Sequence, residues 1–359
     1  MTRIALVHDY FAQSGGAERV AIDLASIAND KVHTTFANRD HTFDEINLLT
    51  VVESTRILAP VARIDPRLVF PLMTRAVRRI ARSLDSDVVL TSSSGWSHRV
   101  AASIDLPVVA YMHTPARWLH EPNDYFSSLS TNNRRVAKWC LSSHYSADLR
   151  DSFKVKTFIA NSTVVQERIH RVYGRDSIVI NPPVSIDVAG VKTEVSRLAN
   201  RPFFLILGRS RGYKNINHAL KYFSSRPEMT LAIAGQESSA DLPENCIGLG
   251  RVTDDELRWL YSKATALIGV SREDFGLTPV EAHMFGTPTL ALRAGGYLDS
   301  CIDGVNAVFI EELDDESMNK AFNDFDAISW DSDSIIKSAS RFDRMSFKEK
   351  IVGVLEEAI

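Results

Sequence analysis

The sequence predicts an α/β protein built from two Rossmann-like, doubly wound domains facing a central cleft, and three observations carry that expectation. Short apolar runs alternate with amphipathic stretches along the chain, which is the pattern of parallel strands joined by crossover helices. The periodicity lapses near residues 181–202, where prolines appear and a new strand follows. The length of 359 residues also exceeds what one core usually organises. The division falls at 183/184, so that 1–183 and 184–340 are separate units and a closing helix spans 341–359.

In the first half the strands are expected at 3–10, 31–38, 87–94, 107–113 and 156–162. In the second they are expected at 203–209, 229–235, 266–271 and 288–293. Each is a short apolar run of the kind that a sheet covered on both faces requires. The tail carries Phe347, Ile351, Val354 and Leu355 at helical spacing, which suits a helix laid back onto the first domain.

Composition narrows the class. With 45% apolar and 24% charged residues the chain is an ordinary globular one, and a net charge of −4 offers no general attraction for nucleic acid. Three scattered cysteines, Cys140, Cys246 and Cys301, lack metal-ligand spacing and point to a reducing compartment. No apolar run approaches membrane-spanning length, so a cytoplasmic location is expected. The segment 67–85 adds a qualification, because Arg75, Arg78, Arg79 and Arg82 share a helical pattern with Leu72, Met73, Val77 and Ile80. A basic amphipathic helix suits peripheral contact with the anionic inner face of a membrane; equally, it suits a helix packed on its own domain.

The chemistry concentrates at strand ends. In SREDFGLTPVEAHMFGTPTLALRAGG (271–296) a strand leads into a turn at Gly276. Thr278 is read there as the N-cap and Pro279 as the first helical residue. The amides of Gly276, Leu277 and Thr278 suit phosphate oxygens. Glu273 and Glu281 flank that site, and as hydrogen-bond acceptors they suit hydroxyl groups on both sides of a diphosphate, as in a nucleotide sugar. In GRSRGYKN (208–215) Arg209 and Lys214 follow a strand, where two cations neutralise a leaving diphosphate. Taken alone, an E-x7-E pair is more often surface decoration and a basic loop more often solvated; the strand-end positions argue for function. Gly15 and Gly16 sit in a strand-to-helix turn that permits close backbone approach, though without the spacing of a dinucleotide fingerprint. His113 ends a strand, placed to meet a sugar hydroxyl or the reacting atoms, whereas His120 reads as structural.

Together these elements resemble glycosyltransferase family 4. The matching stretches are GGAER, HTPAR, FIANSTVVQERIHRVYGRDSIVINPPV (158–184), GRSRGYKN, GRVTDDELRWLYSKATALIGVS (250–271) and EDFGLTPVEA with GTP and GG behind it, across nearly the whole chain. The resemblance implies the GT-B fold and retention of anomeric configuration. It implies that Arg209 and Lys214 hold the donor diphosphate and that Glu281 holds the ribose. Glu273, with the backbone of Phe275, Gly276, Leu277 and Thr278, then holds the sugar, and His113 lines the reaction centre. Where family members commonly show a glutamate after the second GG pair, this chain has Asp299.

No Asp-x-Asp or histidine cluster suggests a divalent ion, so neither metal nor cofactor is expected. HTPAR with EDFGLTPVEA resembles the mannosyltransferase-like subgroup, which implies mannose from GDP-mannose delivered to a glycan or polyprenyl-linked acceptor in polysaccharide biosynthesis. An epimerase or phosphorylase of the same fold, and a nonenzymatic sugar-nucleotide-binding subunit, are the rival classes.

Overall fold

A computed structural model describes residues 2–29, 31–55, 72–125, 131–208, 215–236 and 242–359. They form two compact units, Met1–Pro183 with Arg344–Ile359, and Val184–Asp343. In the first, β1 (Ile4–His8), β2 (Lys31–Thr34), β3 (Thr50–Glu53), β4 (Val88–Ser93), β5 (Val108–Met112), β6 (Thr157–Ala160) and β7 (Ser177–Val179) lie in the order β3-β2-β1-β4-β5-β6-β7. In the second, β8 (Phe204–Leu207), β9 (Leu231–Ala234), β10 (Cys246–Gly250), β11 (Ala266–Gly269), β12 (Thr289–Leu292) and β13 (Ala307–Ile310) lie in the order β10-β9-β8-β11-β12-β13. Every pairing between these strands is parallel.

The central strands β4 and β5 are buried at every position, as parallel strands covered by helices on both faces must be. One face of the first sheet packs on the helix Gly16–Ala25 through Val20, Ala21 and Leu24. The closing helix, Arg344–Ala358, joins the same core through Phe347, Ile351 and Leu355. Its Phe347 ring meets Tyr111 edge-on at 5.7 Å, and Arg344 Nε lies 3.0 Å from Asp23 Oδ1. Fully burying three such side chains stabilises by about 1.5–3 kcal/mol each, so a charge at Ile351 would release the helix.

The other face packs on the helix Met73–Ala81, whose Met73, Ala76, Val77 and Ile80 are all buried. Its apolar stripe is therefore spent inside the domain, while Leu72 and the four arginines are exposed. In the second unit Thr253 and Glu256 form a reciprocal capping box at the start of the helix Asp254–Lys263, a pattern worth about 1 kcal/mol. Trp259, Leu260 and Tyr261 of this helix are buried in the core of the unit. Four strands escape the sequence reading, namely β3, β7, β10 and β13, and each is the edge of its sheet.

Candidate functional site

In both sheets strand order reverses once, between β1 and β4 and between β8 and β11. Doubly wound sheets bind ligands beside the carboxyl ends of strands at such switch points. In the second unit the loop after β11 runs from Ser271 to Gly276, so the sequence-predicted glutamates flank the switch point. The Ser271 hydroxyl donates to Glu273 Oε1 at 2.7 Å and lies 2.8 Å from the Tyr297 hydroxyl. The Tyr261 hydroxyl donates to Glu281 Oε2 at 2.7 Å. Burial holds the phenols of Tyr261 and Tyr297 well above their usual pKa, with Glu281 and Glu273 respectively adding to the shift. Both tyrosines therefore stay neutral donors. Glu273 and Glu281 are themselves half-buried, and a carboxylate accepts several hydrogen bonds through its two oxygens.

The backbone between them is shaped by glycine. Gly276 has φ 83°, and a Cβ there would lie 2.5 Å from the Tyr297 ring. At Gly296 a Cβ would lie 2.2 Å from Phe275 Cα, so the loop after β12 presses directly on the loop after β11. The Gly296 amide donates to the Glu273 carbonyl at 2.9 Å. Phe275 is buried, with its ring 5.6 Å from that of Phe342. The turn that carries the site is thus braced from below and from one side.

The helix after this turn begins earlier than the sequence suggests. It spans Leu277–His283 with Gly276 as its N-cap, so Thr278 and Pro279 are its second and third residues. A left-handed turn residue must precede the first helical residue here, and glycine meets that need better than threonine. Pro279 is tolerated because first-turn amides have no intrahelical acceptor. With only seven residues the helix adds little dipole, so any anion affinity rests on the amides of Leu277 and Thr278 themselves.

In the first unit His8, Ser92 and His113 meet at the ends of β1, β4 and β5. Ser92 Oγ lies 3.0 Å from His8 Nδ1 and 2.8 Å from His113 Nε2. Burial pulls the His113 imidazole down to about 3, with the neighbouring His8 adding to it, and burial lowers His8 as well. His113 is neutral at any working pH. Next to them the buried Asp9 carboxylate accepts from the amides of Ser94, Trp96 and Ser97 at 2.6–3.0 Å and fixes the loop after β4. Gly15 is the N-cap of the helix Gly16–Ala25, and a Cβ on it would lie 2.5 Å from Glu18 Oε2. Part of the glycine requirement at this turn is therefore internal. Glu18 is buried, desolvation raises its pKa to about 8, and Oε2 has no hydrogen-bond partner among the described residues.

Arg209 and Lys214 lie outside the described residues. The His120 side chain is 4% exposed and is bonded to Asp148, 2.9 Å away, which fits its structural reading. Asp299 lies in the short helix Tyr297–Ser300, and its carbonyl accepts from Arg341 at 2.7 Å. The sequence reading missed Ser271, Tyr261, Tyr297, His8 and Ser92, which carry no motif of their own; only their strand-end or helix-face positions hint at them. Among the described residues no group of three or more His, Cys, Asp or Glu side chains is placed to hold a metal ion, and no helix is long and apolar enough to cross a membrane.

Residues 192–341 match the family described as Glycosyl transferases group 1, and residues 14–188 match Glycosyltransferase Family 4. No curated protein matches the sequence. Among solved structures the chain is similar to HepE of Anabaena in complex with UDP-glucose, with 19% identity, 99% of each chain covered and a TM-score of 0.69. It is also similar to sucrose-phosphate synthase from Thermosynechococcus elongatus, with 13% identity, 99% of each chain and a TM-score of 0.70. A third likeness is to the lipopolysaccharide outer core galactosyltransferase WaaB in its apo form, with 16% identity, 99% of each chain and a TM-score of 0.64. At these identities the likeness is one of fold.

Proposed function

We propose that this chain, a glycosyltransferase of the GT-B fold with family 4 and group 1 halves, moves a hexose from a nucleotide diphosphate sugar to a glycan or polyprenyl-linked acceptor with retention of configuration. One observation carries the reading. Two half-buried carboxylates, each anchored by a neutral hydroxyl, stand on either side of a glycine-shaped turn at a sheet switch point. Carboxylates repel phosphate and accept from hydroxyls, so the turn backbone suits the anionic part of a donor and the two glutamates suit its ribose and its sugar.

In this reading Glu281 accepts from the ribose, while Glu273 with the Phe275–Thr278 backbone holds the transferred sugar. Arg209 and Lys214 take the diphosphate charge. His113, being neutral, acts by hydrogen bonding and not by charge, and Gly15 and Gly16 let the backbone approach the donor. No enzymic base is required if the leaving phosphate oxygen takes the acceptor proton as the acceptor attacks from the same face. No divalent ion is required if the two cations neutralise the diphosphate, and unchanged turnover in excess EDTA is the expected result. Asp299 is left without a donor role.

The donor proposed is GDP-mannose, for use in cell-surface polysaccharide synthesis in the cytoplasm. HepE was crystallised with UDP-glucose, which makes that donor the decisive competitor. The membrane contact proposed falls to the arginine face of Met73–Ala81, because the apolar face is buried. Beside that face lies a cavity of about 480 Å³ whose lining includes Arg78, Arg99, Arg150, Lys154 and the opposing Asp151. Equal co-sedimentation with neutral and anionic vesicles would remove the membrane contact.

The main test compares turnover of GDP-mannose, UDP-glucose, UDP-galactose and UDP-N-acetylglucosamine by wild type and by Glu281→Ala, Arg209→Ala and Lys214→Ala. Losing a hydrogen bond to a charged group costs about 1.5–3 kcal/mol, so each variant should lose roughly ten- to hundredfold in donor affinity while remaining folded. Full activity in a variant would cancel that residue's role. Preference for a uridine donor would overturn mannose and leave transfer standing.

A further inference from the structure

The hydrogen bonds around Ser92 determine more than the position of His113. His8 Nδ1 lies 3.0 Å from Ser92 Oγ and 3.2 Å from the Ser92 carbonyl oxygen. A carbonyl oxygen only accepts, so a bare Nδ1 lone pair facing it would be repelled and Nδ1 must carry the proton. The same carbonyl accepts from the Ser97 hydroxyl at 2.9 Å, which its second lone pair allows. With His8 Nδ1–H directed at Ser92, the serine oxygen accepts there and its own proton is free to point the other way. The group on that side is His113 Nε2, 2.8 Å distant. His113 Nε2 is then the acceptor, and the remaining proton of a neutral ring sits on Nδ1.

His8 Nε2 supports this arrangement. It is buried, and among the described residues it has no hydrogen-bond partner of normal geometry, so no second bond of the ring competes with the one at Nδ1. Burial also keeps both rings neutral.

We propose that His8 and Ser92 are positioning residues that lock His113 as its Nδ1–H tautomer, so that His113 offers a ligand oxygen a hydrogen-bond donor and never a lone pair at Nε2. The use made of that donor rests on the transferase reading above; the tautomer does not. Hydroxyl and phosphate oxygens are the acceptors such a ring selects, and a role for His113 Nε2 as general base is ruled out.

The full chain with ¹⁵N-labelled histidine, observed by long-range ¹H–¹⁵N correlation at neutral pH, tests this, because the cross-peak pattern separates the two neutral tautomers and the cation. The His113 signal is assigned by its loss in His113→Gln. The expected pattern is Nδ1–H, kept in Ser92→Thr and lost or mixed in Ser92→Ala. With the preferred donor, kcat should fall about tenfold in Ser92→Ala, equivalent to about 1.4 kcal/mol in the barrier, and recover in Ser92→Thr. An Nε2–H or cationic His113 in the wild type overturns the proposal, as does a Ser92→Ala protein that keeps the Nδ1–H signal. If the tautomer follows the variants while kcat does not, the lock stands and the role given to His113 in transfer falls.

Discussion

At the strand ends of the first unit the polar side chains face one another. His8, Ser92 and His113 form a closed chain, and Asp9 spends its carboxylate on three backbone amides. At the strand ends of the second unit the arrangement is one-sided: Ser271 and Tyr261 each reach one oxygen of a glutamate that is otherwise half-exposed. The first rim is pre-set by burial, which removes charge from its imidazoles. The second is shaped instead by glycines pressed against backbone and ring. A rim that must hold a tautomer benefits from desolvation, whereas one that must accept hydroxyl groups benefits from carboxylates left half-exposed.

Breaking the second rim should cost most. Gly296→Ala drives a Cβ to 2.2 Å from Phe275 Cα and 2.4 Å from Phe275 O, where only backbone can yield. Overpacking costs about 1–3 kcal/mol when side chains can give way, so urea denaturation should report a loss of about 3 kcal/mol or more, together with loss of donor binding. Gly304→Ala is the contrast: its φ is positive, at 71°, where that of Gly296 is −70°, but nothing lies within 4 Å, and left-handed backbone strain of about 1–2 kcal/mol is the whole expected cost. Similar losses in the two variants would show that close approach is not what shapes the loop.

A pH measurement sharpens the contrast on the first rim. The folded pKa of Glu18, about 8, lies above its ordinary value of 4.5. The stability this group contributes is therefore fully present below 4.5 and is lost as pH rises through 8. Glu18→Gln should gain stability relative to wild type across that window, by a few kcal/mol at about 1.4 kcal/mol per pKa unit. The buried imidazoles act with the opposite sign: His113 and His283, both lowered from 6.5 to about 3 by burial, lose their contribution as pH falls from 6.5. Parallel melting curves at pH 5 and pH 8 separate the two effects, and a pH-independent difference between Glu18→Gln and wild type would mean that Glu18 is charged in the folded protein.

The smallest expected effect is that of Tyr261→Phe. Removing the hydroxyl that anchors Glu281 should cost about 1 kcal/mol of stability and roughly tenfold in donor affinity by titration calorimetry. An affinity within twofold of wild type would show that Glu281 holds its position without Tyr261.

The fold class was legible because interior strands are buried on both faces and read as continuous apolar runs, as in IALVH (4–8) and VVAYM (108–112). Edge strands were not. β3 and β7 are short and partly exposed, and β10 reads CIGLG with a register shift at its glycines. β13, AVFI, is fully buried, but a four-residue apolar run is ambiguous between strand and helix. The strand-end glutamates and His113 could be singled out because a motif places them just beyond a predicted strand. Ser271 lies only two residues from Glu273, but the other anchors come from distant segments: Tyr261 is 20 residues from Glu281, and Ser92 is 21 from His113 and 84 from His8.

Local sequence by itself thus determined which segments pair as interior strands and which charged or titratable groups sit at their ends, since both depend on hydrophobic pattern and turn chemistry within a few residues. Only the tertiary structure decided the start of the helix at Leu277, the burial of the arginine helix's apolar stripe, the close approach at Gly296 and the neutrality of His113. Each of these depends on desolvation or contact between segments far apart in the chain, and no local pattern encodes which distant group will fill the space beside a residue.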